Sequence, residues 1–202
     1  MPDVNAPEFW EEIYRSGDAR WDLKSPTPVF VGLLDRKSFL PSTISVLGCG
    51  KGYDAVYFAR QGFNVTAVDF AESAITATEE NARQANVKMT TLKEDVFLLA
   101  KHYPSLVSSF DYILEYTCFC AIDVHRRSEY INIVRSMLKP GGILIGLFFP
   151  IDDRDGGPPF AMTVDEITSL FQKDFILTEA QVPLQSVSPR RGKEILMVWK
   201  KR

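Results

Sequence analysis

The stretch Ile44-Ser45-Val46-Leu47-Gly48-Cys49-Gly50-Lys51-Gly52 reads as a short apolar, β-branched strand that runs without a spacer into a glycine-rich turn. Beyond it, Ala55, Val56, Phe58 and Ala59 fall at helical spacing within 54–61, and Gly62 stands where a helix ends in a residue of positive φ. Val65-Thr66-Ala67-Val68 is a second strand. Asp69 closes it, roughly twenty residues past the glycines, where nucleotide-binding βαβ units carry a hydroxyl-binding acid. Glycines without Cβ let a ligand approach the backbone, and the helix N-terminus that follows offers free N–H donors to an anionic group. A dinucleotide fingerprint would need another glycine at position 53, and Tyr53 is there instead.

Outward from this unit the alternation continues. Residues 72–84 read as a helix, 88–92 as a third strand, 110–116 as a fourth and 125–138 as a helix. Lys139-Pro140-Gly141-Gly142 reads as a stop and a turn, and 143–149 as a strand buried on both faces. A helix over 163–171 and strands over 175–180 and 194–199 complete the pattern. Strand-helix alternation of this kind predicts an α/β fold with a parallel, doubly wound sheet and helices on both sides. Ligands bind such sheets at the carboxyl ends of the strands. Glu94-Asp95-Val96-Phe97 and Thr117-Cys118-Phe119-Cys120-Ala121-Ile122-Asp123 leave strands at that edge. In the first, Asp95 suits an exocyclic amine and its apolar neighbours a purine ring; alternatively Asp95 caps the next short helix.

The N-terminal segment precedes this frame. Phe9, Trp10, Ile13 and Tyr14 form an aromatic stripe, Trp21 follows, and Pro26 and Pro28 introduce an apolar helix through Val29, Leu33 and Leu34. Either the aromatics pack the segment onto the domain, or Trp10, Tyr14 and Trp21 form a lid whose faces cover a cationic ligand. The loop Asp152-Asp153-Arg154-Asp155-Gly156-Gly157-Pro158-Pro159-Phe160 is placed to close over a substrate. Ser188-Pro189-Arg190-Arg191-Gly192-Lys193 reads as a solvated basic hairpin tip, the alternative being that Arg190 or Arg191 faces an anionic substrate.

The 202 residues fit one domain, with 1–40 as the lid segment and 41–202 as the core. A net charge of −3 with a pI near 5.5 argues against a nucleic-acid partner. No apolar run has the length of a membrane span, no signal-peptide core follows Met1, and no exposed apolar stripe is apparent. A cytoplasmic monomer is expected. Cys49, Cys118 and Cys120 have neither disulfide-framework nor metal spacing, so no metal is expected. His102 and His125 read as surface residues.

Leu47-Gly48-Cys49-Gly50, Ala67-Val68-Asp69, Glu94-Asp95 and Leu138-Lys139-Pro140-Gly141-Gly142, in this order, resemble the class I S-adenosylmethionine methyltransferases. Trp10, Tyr14, Trp21-Asp22, Tyr116 to Ile122, Phe149-Pro150-Ile151, Asp155 to Phe160 and Arg191 to Glu194 resemble the thiopurine methyltransferase family, and within it the thiol and halide methyltransferase branch. The resemblance implies a Rossmann-like seven-strand sheet with the last strand antiparallel, S-adenosylmethionine as cofactor and S-adenosylhomocysteine as product. It also implies methyl transfer to a small soft nucleophile: a thiol, bisulfide, thiocyanate or halide ion. By the same resemblance Trp10, Tyr14 and Trp21 line the methionine end and methyl group, Gly48 the amino-acid moiety, and Gly50 also belongs to the cofactor site. Asp69 holds the ribose, Asp95, Val96 and Phe97 the adenine, and Tyr116 edges the sulfonium. The acceptor pocket falls to Trp10, Tyr14, Phe119, Phe149, Arg154 and Phe160. The chain departs from plant relatives at Tyr14, where they tend to have Trp, and at Phe149 and Phe160, where they have Tyr.

A thiolate or halide is already nucleophilic, and displacement at a sulfonium neutralises charge, so a dry apolar pocket suffices and no obligatory acid–base residue is expected. The alternatives are an aromatic-thiol or thiopurine S-methyltransferase, an O- or N-methyltransferase of the same fold, a nicotinamide oxidoreductase, and a non-catalytic cofactor-binding module.

Overall fold

The computed structural model describes residues 3–202. Its frame is a seven-stranded sheet in the order β3-β2-β1-β4-β5-β7-β6. The strands are β1 (Thr43–Leu47), β2 (Asn64–Asp69), β3 (Thr90–Lys93), β4 (Phe110–Tyr116), β5 (Leu138–Phe148), β6 (Phe175–Gln181) and β7 (Ile195–Lys201). The first five pair in parallel, whereas β7, the last strand in sequence, lies antiparallel between β5 and β6. The helices are α1 (Pro7–Ser16), α2 (Pro28–Asp35), α3 (Tyr53–Arg60), α4 (Glu72–Gln84), α5 (Leu99–His102), α6 (Arg127–Met137) and α7 (Val164–Phe171).

Alternate residues of each central strand serve the two faces, as the pleat requires. Ile44, Val46, Leu114, Ile145 and Leu196 pack with Phe30 and Leu33 of α2 and Phe58 of α3. Leu47, Ile113, Leu144, Met197 and Trp199 pack with Tyr130 and Val134 of α6 and Phe171 of α7. The sheet is therefore covered on both sides, as its apolar runs predict. Helix α2 belongs to one of these layers, so the segment left to cover the strand ends is confined to about 4–22. Its residues Val4, Trp10, Ile13, Tyr14 and Trp21 form a separate small cluster with Phe70, Ala71, Ala74, Ala121 and Phe160.

The strand order reverses between β1 and β4, and the chain leaves both at the same edge. Gly48 has φ of +60°, and a Cβ there would sit 2.8 Å from both Cβ and Sγ of Cys118. Only glycine lets the two loops approach so closely. The stop and turn expected at 139–142 is instead the first part of β5, where Leu138 pairs with Phe110 and the register shifts before Ile143 pairs with Tyr112. A Cβ at Gly142 would meet Lys139 O at 3.0 Å and Phe110 O at 3.2 Å, so this glycine makes a bulge inside a strand. Strand β3 is also displaced, to Thr90–Lys93 from the expected 88–92.

Candidate active site

A cavity of about 830 Å³ lies over the carboxyl ends of β1, β2, β3, β4 and β5, roofed by the 4–22 segment. That volume is within the range of small-molecule sites. Its acidic end carries Asp69, Glu94 and Asp95, and its opposite end carries Phe149, Arg154 and Arg190.

Asp69 is 7% exposed; its Oδ2 accepts from Gly50 N (2.9 Å) and its Oδ1 from Ala71 N (3.0 Å). Burial raises its carboxyl to about 6 against these two stabilising bonds. Each oxygen has lone-pair capacity left for hydroxyl donors from the cavity. Because the Gly50 amide is spent on Asp69, Gly50 braces the acid from outside the cavity wall, while Gly48 lines it. Asp95 is the cap that its alternative reading expected, its Oδ1 accepting from Phe97 N (2.9 Å) at the start of the turn Val96–Leu98, and it also lines the cavity.

Trp10, Tyr14 and Trp21 come together on the roof. Trp21 meets Trp10 edge-to-face at 5.5 Å between centroids and Tyr14 at 5.6 Å, and all three line the cavity. The indole N–H of Trp10 donates to Val4 O (2.9 Å), which fixes the ring. Helix α1 ends at Gly17, whose φ of +77° turns the chain so that Trp21 returns over the stripe.

The opposite end departs from the sequence reading. Phe119 is a core residue rather than a pocket wall: it is 1% exposed and packs among Tyr130, Phe148 and Phe171, because the turn after β4 rotates it beneath the sheet edge. Phe160 lies behind the wall, its ring against Gly157, which lines the cavity. Tyr116 also stands one shell back. Its hydroxyl donates to Glu194 Oε1 (2.6 Å) and accepts from Nη1 of Arg190. The hairpin tip expected to be solvated is a 3-10 turn, Ser188–Arg190, and Arg190 is 6% exposed. Its Nη2 donates to Trp21 O (2.9 Å), it pairs with Glu194 at 3.8 Å, and it lies over the Tyr116 and Phe149 rings at 5.2 and 4.9 Å. Arg191 is exposed, so of the two arginines Arg190 faces the cavity. Arg154, at the rim, lies 5.5 Å from the Phe149 centroid and is held by Asp152.

Sequence reading also missed Phe70, Ile122 and Arg126 on the wall and Glu115 beneath it. For Phe70 and Ile122 the signal was adjacency to Asp69 and to the strand-four end. Glu115 is 1% exposed; its Oε1 accepts from Cys118 N (3.1 Å) and Phe119 N (2.7 Å), and its Oε2 from Tyr130 OH (2.5 Å). It fixes the turn that sets Cys118 and Cys120 at the cavity floor. Burial pushes the Cys120 thiol up to about 12 and Cys118 well above its ordinary value, so both floor thiols are protonated at neutral pH. No histidine is among the described residues that line the cavity, and no metal-type cluster occurs among the described residues. No described helix is long and apolar enough to cross a membrane.

Chemically, the arrangement offers acceptors for a polyhydroxylated ligand at one end, π faces for a cation in the middle and a buried guanidinium at the other end. The chain matches the thiopurine S-methyltransferase (TPMT) family over residues 5–201. It is 36% identical over 98% of its length to a probable thiol methyltransferase 2 of Arabidopsis thaliana, covering 86% of that protein. A thiocyanate methyltransferase 1 of Brassica oleracea is 34% identical over 100% of the chain and 88% of the relative. In fold it resembles 1,6-didemethyltoxoflavin-N1-methyltransferase of Burkholderia thailandensis, with a TM-score of 0.75 at 21% identity over 96% of this chain and 86% of that one. The chain belongs to the thiopurine S-methyltransferase family, and it is an S-adenosylmethionine-dependent methyltransferase.

Proposed function

We propose that the acceptor is a small soft anion, in the class of bisulfide, thiolates, thiocyanate and halides, and that Arg190 draws it to the apolar end of the cavity. The observation that carries this reading is the buried Arg190 guanidinium facing the cavity beside the Phe149 ring, with its ion-pair partner Glu194, 3.8 Å away, outside the cavity lining. At the other end the carboxylates of Asp69, Glu94 and Asp95 stand with Arg126, whereas no carboxylate lines the wall beside Phe149, Arg154 and Arg190, so that end favours an anion.

The wall fits the cofactor on three counts: spare acceptor capacity on buried Asp69, a side-chain-free Gly48 and the aromatic cage of Trp10, Tyr14 and Trp21. In this reading Asp69 holds the ribose hydroxyls, Asp95 the exocyclic amine and Gly48 gives room to the amino-acid moiety. When bound, S-adenosylmethionine supplies an electrophilic methyl group. The protein's part is to hold the two ligands in line and to exclude water. The aromatic cage and the Gly157-Pro158-Pro159 wall strip an anion of hydration, which raises its nucleophilicity without a base. Protonated Cys118 and Cys120, with no histidine among the described residues that line the cavity, fit that division of labour.

The test is a headspace gas-chromatography assay with S-adenosylmethionine against iodide, bisulfide and thiocyanate in parallel, with an aromatic thiol followed by absorbance. Turnover of the small anions ahead of the aromatic thiol supports the reading. Turnover of the aromatic thiol alone would replace it with the thiopurine-type acceptor.

A further inference from the structure

We infer that Arg126 is a cofactor-binding residue, its guanidinium forming the face on which the purine of the cofactor stacks. This rests on the methyltransferase reading of the cavity. Phe97 is partly buried against the core and also lines the cavity, so the ring face turned away from the core is the one a ligand in the cavity would meet. That face is covered: the guanidinium carbon of Arg126 lies 3.4 Å from the ring centroid. The gap is one van der Waals contact and admits no second ring. A purine entering this end therefore meets the guanidinium rather than Phe97, which corrects the expected role of that ring.

The guanidinium is built to be a surface. Glu129 grips it from the side, Oε2 accepting from Nε (2.8 Å) and Oε1 from Nη2 (3.1 Å). Its plane is thus fixed by the helix that follows β4. Nη1 donates to Asn5 Oδ1 (3.2 Å) in the roof segment. A delocalised planar cation offers an aromatic ring a stacking plane that a compact, strongly hydrated ammonium lacks. The Asp95 carboxylate lines the same end, so a purine there finds a stacking plane and an amine acceptor together. The bond to Asn5 also ties the roof to this end, as Arg190 ties it at Trp21.

Isothermal titration with S-adenosylhomocysteine and with 5′-methylthioadenosine, which lacks the amino-acid moiety, on wild type, Arg126→Lys and Arg126→Met tests the assignment. Both variants should lose roughly tenfold in affinity for both ligands, each remaining folded by circular dichroism at the titration temperature. Arg126→Lys keeps reach and charge, so its loss isolates the planar stack. Unchanged binding in both variants would overturn the assignment. So would a loss confined to Arg126→Met, which marks charge alone, or one confined to S-adenosylhomocysteine, which marks the amino-acid end. Failure of the wild type to bind either ligand would overturn the cofactor reading of the cavity, and this assignment with it.

Discussion

Arg190 on the turn before β7 donates through Nη2 to the backbone carbonyl of Trp21 at 2.9 Å, so a residue near the C-terminus fastens the N-terminal roof. The same guanidinium balances Glu194, which is 2% exposed. Arg190→Met leaves that carboxylate buried without its cation. The expected outcome is destabilisation of about 3 kcal/mol and a Tm lower by roughly 10 °C, measured by thermal unfolding.

The cage of Trp10, Tyr14 and Trp21 predicts a preference for a positively charged ligand. Trp21→Ala removes the ring that meets both partners edge-to-face. Affinity for cationic S-adenosylmethionine should fall about three- to tenfold more than affinity for its uncharged-sulfur product. Titration of both ligands against the variant checks this; equal losses would mean that the ring contributes only area.

Cys118 and Cys120 sit at the floor with their thiols held protonated. Cys118→Ala and Cys120→Ala should each retain kcat to within about tenfold. A loss above about a hundredfold in a folded variant would make one of them a participant.

Glu115 carries a pH signature. Burial raises its carboxyl to about 7 from 4.5, against the bonds from Tyr130, Phe119 and Cys118. Between those values the native state holds a proton that the unfolded state has released, so Glu115 makes stability fall as pH rises from about 4.5 to about 7. Asp69 and Asp54, both raised to about 6 chiefly by burial, add to the same slope. Glu115→Gln should flatten part of that decline, since an amide can keep both backbone bonds on its oxygen and turn its nitrogen to Tyr130. Denaturant unfolding from pH 4.5 to 8 reads the change; an identical slope would contradict it.

The fold was legible because its decisive stretch is local. Leu47 to Gly52 and Val65 to Asp69 carry strand, turn, helix and acid within one unit, and the structure keeps their order and pairing. What was not legible depends on partners far away in sequence. The bulge at Gly142 is set by Phe110, the burial of Arg190 by Tyr116 and Trp21, and the inward turn of Phe119 by Glu115 and Tyr130. An aromatic residue just past a strand end has no periodicity to say which way it points, and a basic Arg190-Arg191 pair has none to say which member is buried.

The central claim is that a buried cation at one end of the cavity holds an anion in line for methyl transfer. Its most direct test is kcat/KM for bisulfide and thiocyanate in wild type and Arg190→Met, assayed at saturating S-adenosylmethionine and well below the lowered Tm of the variant. The account predicts a fall of about a hundredfold in kcat/KM, with S-adenosylhomocysteine affinity within about threefold. A variant that turns over both anions as fast as the wild type would contradict it.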